Sequence, residues 1–247
     1  MRIGAEIRAD VRVNGEPIGG ASPQDALFND IVNEVATDSL YISKVDKIVL
    51  VDSGGTERDS TTTLDYTDRT TESPPKVEIH GTIDITADYT VAKIRLYAGT
   101  KLYFETSWSR AVQNGDKVDV TVTVQVSGSG SVSGTTTGSL AGAGFAIHIC
   151  KALIGASERE QIGFARAVLL TADNVELYNQ PLSRTADTAN NQATGDTGMQ
   201  SPSAEGDAVT LQFRNSGGYA VAVFSLDTAV SITTETQVRV QFTFSVS

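Results

Sequence analysis

Two stretches of the chain, VDVTVTVQVS at residues 118–127 and VRVQFTFSVS at residues 238–247, alternate apolar and polar residues without interruption. This period of two is typical of a β-strand with one buried and one exposed face. The two stretches lie 120 positions apart. We therefore predict that one closing strand occurs twice, with its Val and Phe side chains buried and its polar side chains exposed.

The same offset relates other parts of the two halves. Residues 103–127 align with residues 223–247 without a gap and share six identities in 25 positions. KIVLV at residues 47–51 falls against AVLLT at residues 167–171. Separated segments in one register indicate a tandem duplication of a unit of about 120 residues, with more divergent middles.

Each unit contains one predicted short helix. In the first unit, Ser22 is the predicted N-cap and Pro23 the first helical residue before ALFNDIVNEVA at residues 26–36. The second helix is FAIHICKALIGA at residues 145–156, which Gly155 closes. Four apolar residues fall on one face of the first helix: Leu27, Ile31, Val32 and Val35.

Short alternating runs separated by turn residues occupy most of the remaining chain. Asn14-Gly15 in the N-terminal run predicts a tight hairpin turn. The segment 183–206 is predicted to be a long loop. Regular short strands indicate a sandwich. The predicted fold is therefore mainly β, with two tandem jelly-roll or immunoglobulin-like β-sandwich domains related by internal duplication.

The duplication places the two predicted domains at residues 1–128 and 129–247. Residues 129–144 between them are rich in Gly, Ser and Thr, which is typical of a flexible linker. At the offset of 120, however, this junction corresponds to the N-terminal hairpin of the first unit. The junction is therefore either a linker or an edge strand of the second domain.

The composition is that of an ordered, strand-rich protein, because 40% of the 247 residues are apolar and 20% are charged. The net charge of −11 opposes binding to nucleic acid or to an anionic membrane. No apolar run approaches the roughly 20 residues of a membrane span, and the N-terminus lacks a signal-peptide core. We predict neither nucleic acid nor a membrane as a partner.

Few residues are available for catalysis. The chain has two histidines, one cysteine and no nucleophile-elbow or Walker motif. His80 lies in an alternating run and is predicted to be a strand residue. His148 and Cys150 are two positions apart in a helix, so their side chains diverge and do not form a zinc site. The apolar neighbours of Cys150 predict a buried thiol.

Carboxylates are plentiful, and two segments, residues 52–59 and 187–196, concentrate them in loops. Neither matches a known calcium-loop pattern, so solvated turns are the simpler interpretation. Paired acids for glycoside cleavage stay open, but no pair stands out among 30 carboxylates. We predict that the protein is not an enzyme and has no catalytic residues, no metal ligands and no cofactor.

The aromatic residues concentrate in LYAGTKLYFETSW, which contains Tyr97, Tyr103 and Trp108. Strict alternation places Leu102 and Phe104 on one face of the strand and Tyr103 on the other. Partly exposed, these three aromatic residues would present flat apolar faces to a partner protein or a glycan. The alternative is that they pack in the core or between domains.

The order of these segments resembles that of β-sandwich structural proteins of tailed bacteriophages and archaeal viruses, of the tail, collar, turret or capsid-decoration type. Those domains open with a hairpin, continue through a helix and a strand with a Gly-Thr-rich loop, and close on a long alternating strand. The matching segments here are VRVNGEPI, ALFNDIVNEVA, KIVLVDSGGTERDSTTTLDYTDR, KIRLYAGTKLYFETSW and DKVDVTVTVQVS, with the last three repeated in divergent form in the second half.

The resemblance implies a non-enzymatic virion structural protein, assembled in the host cytoplasm, that contacts copies of itself and other virion proteins. Long alternating strands with free edges would pair with neighbouring chains. Three copies of a two-domain chain would offer six similar positions around a ring. The alternatives are a carbohydrate-binding or host-attachment module on the virion surface that binds a host-surface glycan, an exported surface-layer or pilus protein, and, last, an enzyme.

Overall fold

The computed structural model describes residues 1–247. It is 57% strand and 11% helix, which confirms the mainly β class. The strands are β1 Arg2–Val13, β2 Glu16–Pro23, β3 Lys47–Asp52, β4 Glu57–Thr61, β5 Asp65–Arg69, β6 Lys76–Asp84, β7 Tyr89–Ala98, β8 Lys101–Val112, β9 Lys117–Val132, β10 Gly138–Ala143, β11 Arg166–Leu170, β12 Glu176–Pro181, β13 Ser183–Asp187, β14 Gln192–Asp196, β15 Gly206–Arg214, β16 Ala220–Ile232 and β17 Gln241–Val246. The helices are α1 Asp25–Thr37 and α2 Gly144–Leu153.

Seven strands lie side by side in the order β13, β14, β17, β1, β9, β6, β5. All neighbours are antiparallel except β1 and β17, which run parallel. The 12-residue β1 and the 16-residue β9, the longest strand of the chain, lie near the middle of this row. Their side chains alternate between the core and the outer face, as a period of two requires.

Two further groups of strands extend from this row. One follows the order β2, β8, β7, β3, β4 and the other the order β10, β16, β15, β11, β12. Because β2 also pairs with β1, and β10 also pairs with β9, all strands belong to one large, mainly antiparallel sheet. The two sandwiches and the duplication stay predictions.

The junction between the predicted domains consists largely of strand. β9 continues through the boundary at residue 128 to Val132, and the rest of the junction contains β10. The junction therefore contains strand, but β10 pairs with β16 on one side and with β9 on the other, so it is not the edge strand that was one of the two expectations. Gly128 is needed in β9 because a Cβ there would lie 2.7 Å from the ring of Phe145 at the start of α2.

The two closing strands have the burial pattern that their alternation predicts. All five apolar residues of residues 118–127 are buried, and so are four of the five in residues 238–247. Val238 is the exception, because β17 begins only at Gln241 and Val238 forms an isolated bridge with Gln200. The hairpin is confirmed as well, since Asn14 and Gly15 both have the positive φ that a tight turn requires.

Both predicted helices are present. The apolar face of α1 is fully buried, as predicted, and Gly155 has a positive φ just beyond α2. The predicted start of α1 is wrong, because Ser22 and Pro23 belong to β2 and pair with β8. Gln24 is the N-cap residue, and its side chain makes no capping hydrogen bond.

Each helix packs across the two halves of the chain. α1 contacts β8 from its own half and β13, β14 and β17 from the second half. α2 contacts β16 from its own half and β6 and β9 from the first half. The buried apolar residues consequently form one continuous cluster of 58 residues that includes both helices.

The predicted loop at residues 183–206 is wrong in most of its length. It contains β13 and β14, which pair with each other, and β14 pairs with β17. The sequence does not predict β14, because its two buried residues, Ala193 and Gly195, are both small. The segment therefore lacks the alternation of large apolar and polar residues that is typical of a strand. Gly195 faces the ring of Phe242 at a distance that leaves no room for a Cβ.

Candidate functional site

The three aromatic residues predicted for partner or glycan contact do not form one exposed surface. Tyr103 is fully buried. The pairing between β7 and β8 shifts by one residue at this point, so that Leu96 faces Phe104 while Tyr97 faces Leu102. This β-bulge turns Tyr103 inward beside Phe104, and the predicted exposure of Tyr103 is wrong.

Tyr97 and Trp108 are half-buried. The Tyr97 hydroxyl donates to Glu57 at 2.5 Å, and Lys47 Nζ lies 5.7 Å from the ring centroid. Glu57 also contacts Arg95, which belongs to the same outward-facing strand surface. Tyr97 is thus held in a network of charged side chains, whereas Trp108 packs against the core. Contact of either residue with a partner stays a prediction.

Two acidic residues of α1, Asp30 and Glu34, lie on the same stripe as its apolar residues and are buried, as is Asp38, the C-cap residue of the helix. Asp30 accepts hydrogen bonds from Lys101 Nζ at 2.6 Å and from the Tyr103 hydroxyl at 2.5 Å. Burial and this carboxylate raise the pKa of Tyr103 well above its ordinary value. The buried tyrosine therefore fixes α1 to β8.

Glu34 is the most enclosed of these acids, and its side chain has no exposure to solvent. It forms an ion pair with Arg159, whose side chain is 12% exposed. Its oxygens also accept the backbone N–H groups of Tyr41, Ile42 and Ile162. Arg159 in turn donates to the carbonyl of Ile42 at 2.7 Å. One carboxylate thus joins α1 to the loop at residues 154–165.

The loops after the two helices exchange partners. Phe164, after α2, donates its backbone N–H to the carbonyl of Val35 in α1. Val45, after α1, donates its N–H to the carbonyl of Leu153 in α2. Asp38 accepts the N–H of Ser216 at 2.7 Å, which adds a further bond between the halves. Hydrogen bonds of these polar groups therefore connect the two halves of the chain.

The two histidines and the cysteine are in separate environments. His80 is on β6, as predicted, with its Nδ1 atom 3.8 Å from Asp65. His148 and Cys150 are both buried in α2. The Cys150 thiol faces the carbonyl of Pro75 at 3.5 Å, while Nδ1 of His148 accepts the N–H of Glu160. The two side chains point to different neighbours, in agreement with the prediction that they diverge.

Cys150 is expected to be inert toward thiol reagents in the folded protein. Burial raises the pKa of its thiol to about 12, so the reactive thiolate is scarce at neutral pH. Ellman's reagent at pH 8 should leave Cys150 unmodified until denaturant is added, and then modify one thiol per chain. Rapid modification of the native protein would contradict the buried position.

The first carboxylate of each acidic segment has hydrogen-bond partners within its own turn, whereas Asp59 accepts from the distant Thr86. Asp52 accepts the N–H groups of Gly54 and Thr56 and the guanidinium of Arg58, and the bond from Thr56 is the main cause of its lowered pKa. Asp187 accepts from Asn190. No group of three or more His, Cys, Asp or Glu side chains is placed to hold a metal ion.

A polar groove lies on the outer face of β13, β14 and β17. Three threonines stand side by side across these strands: Thr185, Thr194 and Thr243. Asp196 lies at one end, where it pairs with Arg239 and accepts from Gln241 at 3.1 Å. The Arg239 side-chain hydrogen bond lowers the pKa of Asp196 strongly, so this carboxylate stays ionised. The groove offers hydroxyl and amide groups on a rigid sheet.

A second cavity, of about 530 Å³, opens at the end of the second half where β17 begins late. Its lining is half apolar and includes Leu169, Leu211, Val230 and Val238. The half-exposed Val238 belongs to this lining, which explains its departure from the predicted burial. The cavity is within the size range of small-molecule sites.

Four of the strands at the sheet edges are short. β4, β5, β12 and β13 each pair on one side only and contain five or six residues. Charged side chains occur on all four. The long alternating strands β9 and β17 have neighbours on both sides. The expectation that long alternating strands provide free edges for pairing with other chains is therefore wrong.

Neither helix has the length and apolar character required to cross a membrane. Comparison of the chain with protein-family models, with curated proteins and with solved structures gives no match.

Proposed function

We propose that the protein is a non-enzymatic structural component of a virion, which builds or decorates the particle through contacts with itself and other virion proteins. The observation that carries this proposal is the reciprocal packing of the two halves around one continuous core. Each helix covers strands of the other half, and the buried charges lie at the contact between the halves. Such an arrangement presents two similar faces on one chain.

We infer that the two halves are copies related by an internal twofold axis. At the offset of 120, Glu6 and Ile7 correspond to Val126 and Ser127. The structure pairs Glu6 with Ser127 and Ile7 with Val126, so this part of β1 pairs antiparallel with its own counterpart in β9, as a twofold axis between these two pairs would place it. The order of strands and helix also repeats, with two strands before each helix and seven after it, if β9 is counted both as the last strand of the first half and as the first strand of the second. The predicted duplicated sandwich is supported by both observations.

The form of the edges favours assembly through faces and loops. Short, charged edge strands resist pairing with other sheets. The seven-stranded row, in contrast, has a broad outer face of Ser, Thr and charged side chains on β1, β9 and β17. Contacts with neighbouring subunits would then be polar and would depend on ionic strength.

The oligomeric state tests this proposal. Size-exclusion chromatography with light scattering, across protein concentrations and at low and high salt, should show oligomers that dissociate as salt rises. Negative-stain images should then show rings or trimers. A monomer under all these conditions, together with absence of the protein from purified virus particles, would exclude the structural role.

Glycan binding on the virion surface is the alternative function, and the polar groove favours it. Hydroxyl and amide side chains on a rigid surface can exchange hydrogen bonds with sugar hydroxyls. A glycan array should give binding that Thr194→Val abolishes if the groove is the site. Loss of binding with Trp108→Ala, and not with Thr194→Val, would instead place the site at the aromatic residues of β8.

A further inference from the structure

His148 is buried in a position that accommodates only its neutral form. Its side chain is within α2, with 5% of the residue exposed. Nδ1 accepts the backbone N–H of Glu160 at 2.9 Å, so the proton of the neutral ring is on Nε2. Nε2 is buried and has no hydrogen-bond partner among the protein's groups. The ring meets Tyr219 edge to face, with centroids 5.0 Å apart.

Protonation of this ring would disrupt the contact with Glu160. A proton on Nδ1 turns the acceptor into a donor, and two donors would then face each other. The positive charge would also be buried among cations, since Lys151 on the same helix and Arg159 on the loop both oppose it. Among the charged neighbours, only Glu160 favours the protonated ring. Lys151 has its own carboxylate neighbour, since its Nζ atom lies 3.8 Å from Glu158. The protonated state therefore requires the loop to move.

The loop that His148 contacts is the one that joins the halves. Arg159 pairs with Glu34, Ile162 donates its N–H to the same carboxylate, and Phe164 bonds to Val35. Because Glu160 directly follows Arg159 in the sequence, a displacement of Glu160 would also affect the position of Arg159. Loss of the His148 contact would therefore weaken the contact of the loop with α1.

We propose that His148 is an acid-sensitive contact that holds the loop 154–165 against α1 and α2 at neutral pH and releases it on acidification. This inference does not depend on the proposed function. Burial is the main cause of the lowered pKa of His148 in the folded protein. Because the unfolded chain then binds the proton more readily, the stability contribution is present above the ordinary pKa of about 6.5 and is lost as the pH falls below it.

Two measurements test the proposal. NMR of the histidine rings should show His148 titrating below the ordinary range of a histidine. Hydrogen exchange should show the Glu160 and Ile162 amides losing up to about tenfold of their protection, beyond the intrinsic pH effect, for each pH unit between about 6.5 and the lower pH at which the folded His148 titrates. An ordinary titration of His148 with unchanged amide protection would overturn the proposal.

Two variants test whether His148 causes the loss of amide protection in the loop on acidification. His148→Gln keeps an acceptor for the Glu160 N–H and removes the titration, so its loop protection should not fall on acidification. The matched control His80→Gln should lose protection as the natural chain does. Acid-induced loss that persists in His148→Gln, or disappears in His80→Gln, would assign the effect to another group. If His148→Gln does not fold, the ring titration of the natural chain still decides.

Discussion

Replacement of Glu34 by Ala should lower the free energy of unfolding by about 3–5 kcal/mol, because it leaves a buried partner charge uncompensated. Arg159 would lose its carboxylate, and the N–H groups of Tyr41, Ile42 and Ile162 would lose their acceptor. Each unsatisfied buried donor adds to the loss. Urea unfolding followed by circular dichroism measures the change.

The control for Glu34→Ala is Glu6→Ala. Glu6 also pairs with an arginine, Arg8, but the two side chains are 50% and 69% exposed. An exposed pair contributes about 0–1 kcal/mol, so Glu6→Ala should change the stability little. Equal effects of the two substitutions would show that the Glu34 pair does not hold the halves together.

Replacement of Phe164 by Ala should lower the free energy of unfolding by about 3–5 kcal/mol, as large-to-small core changes do. Phe164 comes from the loop 154–165 and is fully buried. Its ring packs against Phe213 and Phe242 at 5.1 Å and against Phe244 at 5.8 Å between centroids. Truncation would leave a cavity in the middle of this aromatic cluster.

Phe164→Ala also tests whether the two halves unfold together. Trp108, the only tryptophan, is in the first half, whereas Phe164 is in the second. Trp108 fluorescence and circular dichroism should report the same shifted transition, because one core includes both halves. Leu40→Ala, at an exposed position, should stay within about 0.5 kcal/mol of the natural chain. An unshifted fluorescence transition in Phe164→Ala would mean that the halves unfold independently.

The sequence predicts the elements that depend on local pattern. Asn14-Gly15 specifies a hairpin turn, the alternation of residues 118–127 specifies a half-buried strand, and the stripe containing Leu27 and Ile31 specifies a helix face. These features need only the nearest neighbours along the chain. The same reasoning predicts a buried thiol at Cys150, which the structure confirms.

The sequence does not predict what depends on distant partners. Alternation places Tyr103 outward, but a one-residue bulge between β7 and β8 turns it inward. The sequence also does not predict that each helix packs on strands of the other half, because an apolar helix face does not specify which element covers it. A local signal for the contact between the halves did exist, because Asp30 and Glu34 lie on the apolar stripe of α1 and Asp38 follows four residues later at its C-cap. Acids at such positions indicate buried partners.

The position of β1 has a consequence for how the chain acquires its structure. Residues 2–5 at the start of β1 pair with residues 243–246 of β17 on one side and with β9 on the other. During synthesis, the pairing with β17 must wait until β17 has left the ribosome. The first half therefore has an unpaired strand edge at β1 until then. Contacts between such distant residues are also typical of slow folding, so a chaperone that shields this edge should raise the yield of folded protein.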